Sequence, residues 1–168
     1  DSDPEPRVIF TSAGRKVKKN GGPVTIGVEL SHQSGGDVVV PFLATGTART
    51  PSNYTITPGP LVIKAGTKSA AITVNVADNM LNEDDKTVVV SMGMPTHAVQ
   101  GKTTMSAVTI LNTTPEPAVT FTEASQQVKE TAGSATIGVE LSAVSGRDVV
   151  VPLMVSGTAR TPGNYTIT

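Results

Sequence analysis

His32 and His97 are the chain's two histidines, and with no cysteine present they are the first places to look for nucleophilic or acid–base chemistry. A histidine works as a general base when a nucleophilic hydroxyl or thiol lies within hydrogen-bond reach and a carboxylate orients the ring. Each histidine here stands alone in an expected loop, with no recognisable nucleophile pattern beside it. The stretch "GTARTP" could be taken for a phosphate-holding glycine loop, but it has one glycine, no Lys-Thr ending and no helical pattern after it. It reads as a turn between strands. The densest charge lies in "VADNMLNEDDKTV", where Asp78, Glu83, Asp84 and Asp85 read first as a solvated turn. None of these groupings makes a catalytic centre, and no enzyme is expected.

Two further patterns have plain readings. Asn53 and Asn164 in "NYT", and Asn112 in "NTT", match the N-glycosylation triplet, which arises often by chance in a threonine-rich chain. Tyr54 and Tyr165 follow two of these asparagines and read as rings at a sandwich end, hydroxyl at the rim, rather than as ligand-stacking platforms.

The elements that position these residues are β-strands. Aromatic residues make up 3% of the chain, so its apolar content is mostly Val, Ile, Leu and Ala, accompanied by abundant Thr, Gly and Pro. Strands are expected at "RVIFT", "PVTIGVELS", "DVVVPFLAT", "LVIK", "SAAITVNVA", "KTVVVSMG" and "MSAVTILN". Alternation puts Val24, Ile26, Val28 and Leu30 on one face, with Leu61, Ile63, Ile72, Val74 and Val76 expected on the facing sheet. No stretch keeps a helical period.

The chain also repeats itself. Residues 8–57 align with residues 119–168 without a gap, with about 32 of 50 positions identical. Pro115 and Pro117 echo Pro4 and Pro6 and predict a short, stiff, extended connection. The expected organisation is one complete unit over residues 1–114 and the N-terminal half of a second over 115–168.

A formal charge of −1, with scattered basic residues apart from Arg15, Lys16, Lys18 and Lys19, argues against nucleic acid as a partner. No apolar run is long enough to span a bilayer, and "DSDPEPRVIF" lacks the order of a signal peptide, as expected of a processed product or an internal segment. The absence of cysteine excludes disulfides without fixing the compartment.

At "GTARTPSNYTI", "LVIKAGTKSAAITVNVADNMLNEDDKTVVVSM" and "SAVTILN" the order of elements resembles the Calx-beta domain, and the resemblance covers nearly the whole chain. It implies an all-β fold: an immunoglobulin-like two-sheet antiparallel sandwich, here in tandem Calx-beta-type repeats. Such domains occur in sodium–calcium exchangers, in an integrin subunit and in arrays of extracellular and bacterial surface proteins. Many bind calcium through an early Glu, the Asp of an Asp-Tyr pair, an acidic loop and a closing run of Asp. In this chain the corresponding positions are Lys19 (Glu130 in the second copy), Asn53 and Asn164, then Asp78, Asn79 and Glu83 with Lys86 at a later Glu position, and "NTT" at 112–114. Calcium wants six to eight oxygens and several negative charges, so these losses predict that the first copy has lost its site. Asp78, Glu83, Asp84, Asp85 and Glu130 are the candidates for any weak calcium site that remains.

The second copy halts before anything equivalent to "LVIK" or the strands after it. Its own strands, "ATIGVEL" and "DVVVPLMV", are then expected to show apolar faces and open edges to water. Either the chain continues, or another copy supplies the missing strands by exchange or strand addition. Self-association is expected through Ile137, Val139, Leu141, Val149, Val151 and Leu153, the partners being other copies or adjacent repeats. The expected function is a structural or adhesive module of an extracellular or cell-surface stalk or filament. A calcium-regulated binding module with a degenerate site is the alternative. A glycan-binding domain comes third, with the scarcity of aromatics against it.

Overall fold

The computed structural model describes residues 3–168. The chain forms β1 (Arg7–Phe10), β2 (Gly14–Lys18), β3 (Pro23–Leu30), β4 (Val38–Val40), β5 (Phe42–Thr45) and β6 (Tyr54–Ile56). It continues with β7 (Leu61–Ile63), β8 (Ser69–Val76), β9 (Lys86–Met92), β10 (Val99–Gln100) and β11 (Met105–Leu111). Beyond the proline-flanked connection lie β12 (Val119–Phe121), a single 3-10 turn (Glu130–Ala132) and β13 (Val139–Leu141).

Strands β1 to β11 build a sandwich. One sheet runs β10-β1-β3-β8-β6 and the other β2-β11-β9-β5, with β4 and β7 paired separately. In β3 every second side chain points inward, and Val24, Ile26, Val28 and Leu30 are buried as the alternation predicts. They meet Val88 and Val90 of β9 and Val108 and Ile110 of β11 in one cluster that also holds Phe10, Ile63, Ile72 and Val74. Each such side chain contributes about 1.5–3 kcal/mol when fully withdrawn from water.

Three expectations need correction. Ile72, Val74 and Val76 do not face β3 from the opposite sheet, because β8 lies beside β3 in the same sheet, with Val24 opposite Val74 and Ile26 opposite Ile72. Alternation fixes which side chains point inward, not which strand is the hydrogen-bonded neighbour. "DVVVPFLAT" is two strands, since Pro41 has no N–H to continue a ladder: β4 pairs with β7, and β5 crosses to pair with β9. "GRKVK" is an unexpected strand, β2, parallel to β11 from Gly14 opposite Ala107 to Lys18 opposite Leu111.

The second copy repeats what its own residues can make. Strands β12 and β13 pair with Val119 opposite Leu141, as β1 and β3 pair with Val8 opposite Leu30. Of "ATIGVEL" only the last three residues are strand, and residues 149–168 contain none. In the first copy β4 and β5 are held by β7 and β9, and the second copy has no counterpart of either within these residues.

Candidate functional site

Three buried polar side chains meet at one end of the sandwich, each brought there by a different element. Lys19 follows β2, where its N–H extends the parallel pairing by donating to the Leu111 carbonyl at 3.0 Å. Two residues beyond Val17, which packs against the core, Lys19 falls on the same inward face and is 3% exposed. Asn53 closes the turn before β6, and Asn82 sits in the loop between β8 and β9.

The Lys19 ammonium donates to the Leu81 carbonyl and to Asn79 Oδ1, the latter at 3.2 Å. Asn79 Oδ1 also accepts the Leu81 N–H at 3.1 Å, and its amide nitrogen donates to Glu83 Oε1 at 2.9 Å. The same Glu83 oxygen accepts the Asn53 amide at 3.1 Å, while Asn53 Oδ1 takes the Arg49 N–H at 2.8 Å. A continuous relay therefore runs from ammonium through amide to carboxylate to amide. Lys19, Asn53, Asn79 and Glu83 are positions that the sequence resemblance aligns with calcium ligands, and the fold brings all four together.

Their chemistry does not suit a metal. A lysine offers three donors and no lone pair, and each asparagine puts N–H groups where a carboxylate would put acceptors. Asn53 Oδ1, Asn79 Oδ1 and Glu83 Oε1 already accept hydrogen bonds from the chain's own donors. A further cation at contact distance from the ammonium would meet a repulsion of about 1–4 kcal/mol per unit charge. The first-copy site does not fit calcium.

The other candidates are dispersed. Asp78 Oδ1 accepts the Met80 N–H at 3.2 Å in a local turn. Asp84 pairs with Arg147 at 2.8 Å, and Asp85 Oδ1 accepts the Asn112 N–H at 2.8 Å. Glu130 lies exposed in the second copy, lining an open groove with Asn164 and Tyr165. Among the described residues no three His, Asp or Glu side chains are grouped to hold a metal. The reading of residues 78–85 as a merely solvated turn is thus too simple: Asn82 is buried and Glu83 is half-buried within a network.

Each histidine lies within hydrogen-bond distance of a backbone carbonyl, and His32 Nδ1 also lies 3.2 Å from Ser31 Oγ. His32 Nε2 lies 3.0 Å from the Pro4 carbonyl and His97 Nδ1 lies 2.8 Å from that of Asp37. Asp37 accepts the Ala65 N–H at 2.9 Å and Lys64 Nζ at 3.3 Å, and these bonds, the first foremost, hold its carboxyl below the ordinary 3.8. Of the glycosylation triplets, Asn53 is buried with its amide given to Glu83, and the Asn112 amide donates to the Thr114 carbonyl at 2.9 Å. Tyr54 is buried in the core cluster.

Ile137, Val139, Leu141, Val149, Val151 and Leu153 are all exposed, Ile137 to 60%, whereas its first-copy counterpart Ile26 is 1% exposed. No helix among the described residues is long and apolar enough to cross a membrane.

Sequence reasoning missed Asn82 and Arg147. Arg147 carried a usable signal, since it interrupts an otherwise repeated Ser-Gly-x-Asp at the place of Gly36. Asn82 carried none, because its amide's partner, the Thr114 carbonyl, is a backbone group placed by the fold.

The sequence matches the profile of the Calx-beta domain twice, over residues 1–114 and over residues 112–168. Among solved structures, the apo form of the Calx CBD1 domain aligns with a TM-score of 0.59 at 19% identity, over 66% of this chain and 99% of that one. The Calx CBD2 domain gives 0.55 at 18% identity, over 61% of this chain and 84% of that one. CBD12 of CALX1.1, described as a calcium binding domain, gives 0.59 at 20% identity, over 76% of this chain and 53% of that one. At these identities the likeness carries the fold. No curated protein sequence matches the chain.

Proposed function

The chain belongs to the Calx-beta domain family, and from that premise we propose that it is a non-catalytic structural or adhesive repeat module whose first repeat works without calcium. The observation that carries this reading is the buried Lys19 ammonium, lying among the residues that align with the family's calcium ligands. A resident cation already occupies that end of the sandwich, so the loop is braced at any calcium concentration.

The setting is an extracellular or cell-surface stalk or filament, in which repeat number sets length and the proline-flanked connection sets direction. Other copies or adjacent repeats are the partners. Supporting this is the apolar face of Ile137, Val139, Leu141, Val149, Val151 and Leu153, whose first-copy counterparts are covered by strands of the stretch 58–111. Strands of that pattern, from the same polypeptide or from another copy, complete the second repeat.

Calorimetry with calcium, paired with melting in calcium and in EDTA, tests the reading. The expected result is no binding heat and one melting temperature for the first repeat. Saturable heat accompanied by a raised melting temperature overturns it and favours the second reading, a calcium-regulated module. One observation gives that alternative a place: Glu130 stands in the second repeat where Lys19 stands in the first, near Asn164.

A further inference from the structure

The acidic loop between β8 and β9 carries a second set of contacts, separate from the Lys19 network. The turn after β13 rests against it: Ser145 forms a parallel bridge with Asn82, and the Gly146 N–H donates to the Asn82 carbonyl at 2.9 Å. Ser145 Oγ accepts the Arg147 N–H at 3.0 Å and shapes the turn, which aims the Arg147 guanidinium at Asp84 Oδ1, 2.8 Å away. The loop is also fastened to the connection between the repeats. Asn82 and Asn112 both donate their amides to the Thr114 carbonyl at 2.9 Å, and Asp85 holds the Asn112 N–H.

Two residues make this contact selective. A Cβ on Gly146 would lie 2.9 Å from the Asn82 carbonyl oxygen and 3.1 Å from Glu83 Cβ, so the approach requires glycine. Arg147 supplies the charge that matches Asp84. The corresponding turn of the first repeat has the same build, with the Gly36 N–H donating to Ser34 Oγ at 3.2 Å. There Gly35 faces open space, and Gly36 takes the place of the arginine. Both turns share the backbone shape, yet one alone bears a cation for the loop.

We propose that residues 82–85 of one repeat are a docking surface for the Ser-Gly-Arg turn of the repeat that follows, and that Gly146 and Arg147 make this a metal-free joint specific for that neighbour. The loop that many relatives would use to hold an ion is here fixed from within by Lys19 and from outside by Arg147. Two side-chain cations then set the angle between successive repeats. This rests on the reading of the chain as tandem repeats and is independent of any adhesive role.

The test uses the full chain, whose lack of cysteine allows unique spin labels at Lys68→Cys and Glu123→Cys. A fixed joint gives a narrow label-to-label distance distribution, the same in calcium and in EDTA. Its width is expected to roughly double in R147G, whose lost contact is an exposed ion pair, and to grow further in G146V, where the backbone approach is blocked. Should G146V fail to fold, R147G and D84N still decide: each alone broadens the distribution and their combination adds nothing. A broad distribution in the unaltered chain, equal widths in all variants, or narrowing that needs calcium overturns the joint. Calcium heat with the narrow distance retained would instead count against the proposed function alone.

Discussion

The two repeats run the same sequence through different surroundings. The pairing of β1 with β3 recurs as β12 with β13 in the same register, and Thr122 donates its N–H to the Gly138 carbonyl as Thr11 does to that of Gly27, both at 2.9 Å. The turn closed by Asn53 on Arg49 returns as Asn164 on Arg160, with bonds of 2.7 and 2.8 Å in both copies. Yet Phe10 is 1% exposed and Phe121 is 59% exposed. Hairpin and turn are thus encoded within the first half of a repeat, whereas burial is conferred by the strands of the second half.

The strongest way to break that comparison is to truncate the same side chain in both copies. Ile26→Ala opens a cavity in a closed core and is expected to cost about 3 kcal/mol in denaturant melts. Ile137→Ala, at an exposed site, is expected to cost less than about 0.5 kcal/mol. Equal losses would mean that the second repeat buries its own core.

Gly46 and Gly157 sharpen it. Both adopt positive φ, 115° and 123°, but a Cβ on Gly46 would run into the Thr87 carbonyl, while Gly157 has open space around it. Gly46→Ala should cost about 2–4 kcal/mol, combining backbone strain with the clash, and Gly157→Ala about 1 kcal/mol from strain alone.

Lys19 and Glu130 form the next pair. Lys19→Met removes the donor to Leu81 and Asn79, leaving buried acceptors at a cost of about 1–3 kcal/mol, whereas Glu130→Gln leaves stability unchanged. Restoring carboxylates in a K19E/N53D/N79D variant should make the melting temperature calcium-dependent, which calorimetry reads directly.

The smallest effect concerns pH. Asp37 has its carboxyl held low by Ala65 and Lys64, residues whose equivalents the second copy does not reach. Because the folded value is depressed, its contribution is fully present above the ordinary 3.8 and is lost as the pH falls through the lower folded value. Asp37→Asn should flatten that acid limb slightly, and measurably only at low salt, since the group is exposed.

Much of the fold was legible because it is periodic. The alternation in "PVTIGVEL" fixed the inward face of β3, and Gly and Pro marked most strand ends. Strand β2 was hidden because "GRKVK" reads as a solvated basic cluster. Apart from Val17, which packs against the core, it contributes hydrogen bonds to β11, and one apolar residue among charged neighbours shows no alternation. The crossing at Pro41 and the neighbours of β8 are long-range choices that local pattern does not encode. At the site, the sequence placed Lys19 at a ligand position but read it as the loss of a carboxylate. That its ammonium is itself a structural member depends on Leu81 and Asn79, some sixty residues away, folding back over it.

An inorganic ion comes and goes with its concentration, and a joint that relies on it softens whenever the surroundings are depleted. The charge carried by Lys19 is covalently leashed to the backbone it braces. No chelator can strip it, no competing divalent can displace it, and dilution does not diminish it.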